Sequence, residues 1–374
     1  MMHRGEHNEA QGQRRSRWGG VLGVALGSIL AAVSTGAACS SRRPPPQVAP
    51  LPQPALCSLE VPQTRAGAMP TMRVDNWGRL LLRSYNPGIA PGNASDCTGR
   101  AVVWREPQVR CWETDVEEQN AGQVPIPQRP ITEDDVKVSR VQGNLRLVWI
   151  IVDRYRNGEA VGPVALAEFL PNRVVVRAMG TLRTFPQRVR LRLETIGTRR
   201  VLVGEGEVCE NDDDLTTCRR QARLMMLRGD RFVQEPLRTV SGRCLGPARL
   251  EFVKRRTTRL EETGWVRTFE QQTQLQYRPS GIQVHEQVVV SDADPRREGI
   301  PARVFRRAGQ DRAIYVQNDT FVASDPSLWF RVLHVDARTD VADAGAHADA
   351  HVDVPDADVE DDAIYADFID GGIE

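Results

Sequence analysis

Arg188-Val-Arg-Leu-Arg-Leu-Glu194 alternates charged and apolar residues without a break. Side chains in a strand point to opposite faces in turn, so Val189, Leu191 and Leu193 share one face of a half-buried antiparallel strand. Gly197 ends that strand and Arg200-Val-Leu-Val203 begins the next. The same grammar recurs outward from this stretch. Leu145 to Tyr155 and Ala160 to Phe169 flank Asn157-Gly158, a strong hairpin signal, and Phe269 to Tyr277 and Ile282 to Val290 flank Pro279-Ser280-Gly281. Helical patterns of useful length are few. Asp325-Pro326 offers one short helix an N-cap and a first-turn proline. The body is therefore predicted to be all-β, a set of antiparallel meanders arranged as a sandwich or a propeller-like array, with no internal repeat to decide between them.

Both ends differ in composition from this body. Arg42 to Pro54 holds six prolines, which block helix and sheet and favour an extended spacer. From Thr339 to Glu374 there are twelve acidic residues and no Lys or Arg, too little apolar surface to offset ordering entropy, so this tail is predicted to be disordered. The formal net charge of zero conceals that asymmetry: removing the tail's 12 acids from 49 leaves 37 against 49 basic residues, a balance of +12 in the first 338. The expected organisation is a signal segment over 1–38, a linker over 39–56, a β-rich body over 57–335 with a soft boundary at 118–134, and the acidic tail over 336–374.

The N-terminus reads as an export signal. Arg14, Arg15 and Arg17 precede an uncharged apolar stretch from Trp18 to Val33, and the small residues Thr35-Gly36-Ala37-Ala38 lead to Cys39. This arrangement resembles the lipobox of bacterial lipoproteins, with Gly36 where that family usually has Leu. The resemblance implies acylation of Cys39 and attachment to a membrane, and Ser40 after it favours the outer membrane. Cleavage by the general signal peptidase, or retention as an uncleaved anchor, remain open and give the same orientation. Seven cysteines fit the lipoprotein reading, because lipid on Cys39 leaves Cys57, Cys97, Cys111, Cys209, Cys218 and Cys244 even in number. Cys209 and Cys218 bracket a polar turn and are expected to pair across a hairpin; the other four allow three connectivities. With its spacer, stapled β body and Asp/Ala-rich tail, the whole chain resembles envelope lipoproteins of GC-rich Gram-negative bacteria. That resemblance carries no activity with it.

Few residues carry chemistry. His285-Glu286 begins like the zinc-protease H-E-x-x-H, but Val289 stands at the second His position and the segment reads as a strand. Along that strand Glu286 shares its face with Ile282, Val284, Val288 and Val290, so this carboxylate should point inward and need an Arg partner. His285 shares the other face with Gln283 and Gln287. The only lysines, Lys137 and Lys254, lie in no nucleophile or phosphate-binding motif. Asp212, Asp213 and Asp214 are weak calcium candidates, and His347 and His351 flank Asp349 in the tail. Trp77 and Trp265 beside glycines are candidates for stacking on sugar, and Arg188, Arg190 and Arg192 for facing acidic glycans or phosphates. A nucleic-acid partner does not fit an exported protein, and no cofactor motif is present. The reading these residues favour is a non-enzymatic lipoprotein that binds a protein, glycan or lipid partner. Two rivals are a secreted hydrolase gathering Glu286, His285 or His334 with another carboxylate, and a calcium-dependent adhesion module.

Overall fold

A computed structural model describes residues 47–61, 71–104, 111, 124–212, 215–297 and 299–339; for 210–212, 215–217 and 334–339 only the backbone is described. Cys39, residues 42–46 of the proline-rich spacer and the tail beyond 339 lie outside them.

The strands fall where turn chemistry places them. β7 (Gln187–Ile196) and β8 (Arg199–Asp212) are joined at Gly197, whose φ of 60° suits glycine. β3 (Leu145–Ile150) and β4 (Asp153–Arg154) precede the Asn157-Gly158 turn, and β5 (Ala160–Leu170) follows it. β14 (Val266–Arg278) and β15 (Gly281–Ala293) are in register from Val266↔Ala293 to Arg278↔Gly281, so Pro279 and Ser280 alone turn the chain. Local hairpins also join β5 to β6 (Arg173–Thr184), β8 to β9 (Leu215–Arg228) and β15 to β16 (Arg303–Gln317).

Longer-range pairings knit these hairpins into one mixed sheet of seventeen strands. β1 (Cys57–Glu60) adds antiparallel to β6, β10 (Arg231–Val233) joins β6 to β9, and β13 (Arg249–Arg259) joins β9 to β14. β2 (Val136–Arg140) extends β3, and β12 (Cys244–Pro247) flanks β11 (Pro236–Thr239), which lies beside β17 (Thr320–Ala323). The pairs β10–β6 and β11–β17 are parallel, so the meander is antiparallel except at these two closures.

The core is layered. Strands β8 and β9 are apolar on both faces: Val201, Val203, Leu224 and Met226 pack with Ile282, Ile314 and Phe321, whereas Leu202, Met225 and Leu227 pack with Leu147, Trp149, Leu166 and Leu182. The continuous runs Val201-Leu-Val203 and Leu224-Met-Met-Leu227 record that double burial. β3, β5 and β6 likewise turn Val148, Ile150, Val161 and Val176 toward α1 (Val74–Leu81), which contributes Trp77, Leu80 and Leu81. Trp77 is buried edge-on against Phe169 at 5.9 Å, so it is core and presents no sugar-stacking face. Gly162 marks the tightest approach, since a Cβ there would lie 1.6 Å from the Ile150 carbonyl oxygen; Pro163 follows just beyond the last β3–β5 pair, Trp149↔Val164.

Three disulfides staple the sheet: Cys57–Cys97, Cys111–Cys244 and Cys209–Cys218. In the proline-rich stretch before β2, Pro125 bridges to Tyr155, the Ile126 N–H donates to the Arg154 carbonyl at 2.8 Å and Ile131 is buried. The described part of the expected boundary therefore runs along β4 within the same compact unit. α2 (Leu328–Thr339) begins two residues later than an Asp325 cap would place it, with Ser327 at the N-cap.

Candidate functional site

β14, β15 and β16 pair in register, so one row across them reads Gln274, His285, Asp311, its neighbour Gln276, Gln283, Ala313, and the next Gln272, Gln287, Gly309. Alternation turns these side chains to the face opposite the core residues Ile282, Val284 and Val288. The small residues Gly309 and Ala313 leave room along β16. The result is a depression of about 440 Å³ lined by Gln274, Gln276, Arg278, Gln283, His285 and Asp311.

Its centre is a hydrogen-bonded chain. The Gln287 amide lies 3.2 Å from His285 Nε2, and His285 Nδ1 lies 2.6 Å from Asp311 Oδ1. If Gln287 Nε2 donates, Nε2 of the imidazole is the acceptor and Nδ1–H donates to the carboxylate, which fixes the ring orientation. Arg278 donates to Gln276 Oε1 at 3.0 Å. His285 and Asp311 keep 44% and 80% of their side-chain surface in solvent, so the pair is open to a ligand. Each glutamine amide offers both donors and acceptors, the complement of a vicinal diol.

Glu286 points to the other side. It is buried, pairs with Arg312 at 2.8 Å, and accepts from the Leu328 N–H at 2.8 Å and the Ser327 hydroxyl at 3.2 Å. The inward carboxylate thus binds an arginine and the N-terminus of α2, where peptide dipoles favour negative charge. It does not converge with His285, and the His334 side chain lies outside the described residues. Among the described residues, the lining of the depression is Gln, Arg, His and Asp, with no Ser, Thr or Cys.

The remaining ionic clusters are structural. Glu159 is buried among Arg183 (2.6 Å), Arg223 (3.0 Å) and Gln221 (2.9 Å). Burial alone would raise its pKa, but Arg223, Arg183 and Arg249 hold the carboxyl well below the usual carboxylate range. Glu205 binds Arg192, Arg220 (3.0 Å) and the Tyr277 hydroxyl (3.1 Å). Burial and the Glu205 charge push the Tyr277 phenol up. Arg192 therefore turns to a buried acid, with its guanidinium 4.2 Å from the Tyr277 ring centroid, and does not face outward. Arg188 is exposed beside Glu207 at 3.1 Å, and Arg190 is exposed. Trp265 is half-buried in the turn between β13 and β14.

Among the described residues, one group of metal-ligating residue types comes together. Glu207, Cys209 and Cys218 lie close together, but both sulfurs are consumed in a disulfide and offer no thiolate. Asp213 and Asp214, and the Asp212 side chain, lie outside the described residues, as do His347, Asp349 and His351. No helix among the described residues is long and apolar enough to cross a membrane. Neither known family models nor curated proteins match this chain.

Proposed function

We propose that this chain is an exported envelope lipoprotein whose β body binds a hydroxyl-rich glycan in the depression on β14–β16. The observation that carries the binding role is the lining itself, three glutamines, an arginine and a His–Asp pair presented on a flat sheet face. Such a lining matches a ligand that is polar along its whole length. The cysteine count supports the address: six of seven cysteines are paired in the body, and Cys39 is the seventh. Outer-membrane attachment through lipid on Cys39 would hold this face within reach of envelope polysaccharide.

The test is titration of the purified full chain with soluble peptidoglycan fragments and with deacylated lipopolysaccharide. Saturable binding to one of them is expected, weakened about ten- to a hundredfold in Q274A/Q283A, since two hydrogen bonds contribute roughly 1–3 kcal/mol together. Failure of the wild-type chain to bind either saccharide overturns the glycan role. The address is tested separately by intact mass after expression in a Gram-negative host: acyl chains on a chain beginning at Cys39 support it, and a free Cys39 thiol overturns it.

A further inference from the structure

The far end of the β13–β16 ribbon carries a second surface of different chemistry. Past Val253, β13 pairs only with β14, and the four strands continue as a ribbon to the turns near 260–265 and 294–302. There Ile300 and Phe305 expose 60% of their surface and Val304 exposes 44%, among the largest exposures of any big apolar residue in the described chain. Isolated exposed apolar residues are ordinary, whereas three within six positions concentrate apolar exposure at one end of the ribbon.

The placement of Phe305 is built. Val290 pairs with Arg306 and Ser291 with Val304, so Phe305 is the extra residue of a β-bulge, re-aimed out of the ladder. The Arg267 guanidinium sits 4.6 Å from its ring centroid, and Arg267 is itself held by two bonds to Asp292, at 2.9 and 3.1 Å. The ring is thereby held in position while most of it faces water, at a cost in hydration that the fold alone does not recover.

Arginines line both faces of this ribbon end: by register Arg256 and Arg303 share the face of Arg267, and Arg255, Arg259 and Arg307 share the other. All five are exposed and make no ion pair among the described residues. Over 255–270 and 289–307 the sequence has nine arginines against six acids, Glu298 among them. Asp292 and Asp294 are engaged by Arg267 and Arg297, Glu270 lies in the row between Arg255 and Arg307, and Glu261 and Glu262 stand in the turn. A small apolar wedge at a ribbon end that carries exposed guanidinium groups on both faces complements an anionic lipid surface, where the wedge enters the acyl boundary and the arginines bind headgroup phosphates in bidentate fashion.

We infer that the Ile300–Phe305 end of the β13–β16 ribbon docks on the headgroup layer of an anionic membrane. This contact is separate from any lipid on Cys39 and from the glycan depression, and it orients the body on the bilayer.

The test places a reporter at the wedge of the full chain. The emission of F305W minus that of the wild-type chain isolates the added indole from the seven native tryptophans. With phosphatidylglycerol vesicles the difference signal should shift to the blue and resist acrylamide, and with phosphatidylcholine vesicles it should not. Adding R303Q and R307Q should weaken partitioning about 25-fold, roughly fivefold per arginine near an anionic surface. All these positions are exposed, so near-ultraviolet circular dichroism should match the wild type, and a flotation assay with F305S gives the same comparison without the reporter. An indole as accessible with phosphatidylglycerol as in buffer overturns the inference. So does protection equal in both lipids, or protection that appears without vesicles and rises with protein concentration, which marks a protein contact instead.

Discussion

Glu159 shows how far a single carboxylate can organise this sheet. It directly follows the Asn157-Gly158 turn, yet its partners Arg183, Gln221 and Arg223 come 24, 62 and 64 residues later. Strand alternation identifies Glu286 as inward, because its neighbours along the strand are valine and isoleucine. It gives no such mark to Glu159 at the edge of a turn, and no local pattern announces which arginines converge on it. Replacing Glu159 with Gln leaves two buried guanidinium groups without their anion, so E159Q should lose about 3–5 kcal/mol in denaturant unfolding. The sign of the pH dependence follows from the same site. Glu159, Asp96 and Asp135 all have depressed folded pKa values, the last two through bonds from Thr98 and Arg231 and from Thr132 and Arg154 that outweigh their burial. Their stabilisation is complete above the unfolded values near 4 and is lost as pH falls through that range toward the folded values. Melting temperature should be level from neutrality to about pH 5, then fall, and the fall should be shallower in E159Q.

At the scale of elements, the strands were legible, and of the two helices only the one near Asp325-Pro326 was, two residues out of place. Three hairpins have their turns written in place, at 157–158, 197–198 and 279–280, and β7 and β15 beside them alternate. α1 has no such markers: Arg73 is a poor N-cap residue, and Gly78 sits mid-helix because any side chain there would meet the Tyr85 ring at 2.6 Å. α2 is capped from outside its own sequence, by Glu286 on β15, and Lys254 lies 5.6 Å from both the Trp329 and Phe330 rings. Glu286→Ala removes the anion from both Arg312 and the helix N-terminus. It should destabilise the protein by about 3–5 kcal/mol and shift tryptophan emission to the red as Trp329 loosens. Glu286→Gln, which can still accept from Leu328 but does not neutralise Arg312, should recover part of the emission and less of the stability. The candidate site was legible only in its centre: alternation groups His285 with Gln283 and Gln287, whereas Asp311 and Gln274 join them through a register that no single strand specifies.

Over the whole molecule, the closures decide the architecture. β1–β6, β10–β6, β13–β9 and β11–β17 pair segments tens to more than a hundred residues apart, and β1, β10, β11 and β17 are too short to carry a distinctive pattern. An all-β, disulfide-stapled body followed from local signals, but the choice between sandwich and propeller rested on these pairings. The bridges divide along the same line. Cys209–Cys218 spans 9 residues of one hairpin and Cys111–Cys244 spans 133, which by loop entropy correspond to about 3 and 5 kcal/mol. Paired serine substitution should therefore cost more at 111/244 than at 209/218, measured by urea midpoints at constant m-value. β8 and β9, buried on both sides, have a further consequence. Because they serve as a party wall for both cores, a gene cut on either side leaves each fragment with a naked hydrophobic slab. No half of this body is available as an independent evolutionary module, and recombination can move it only intact.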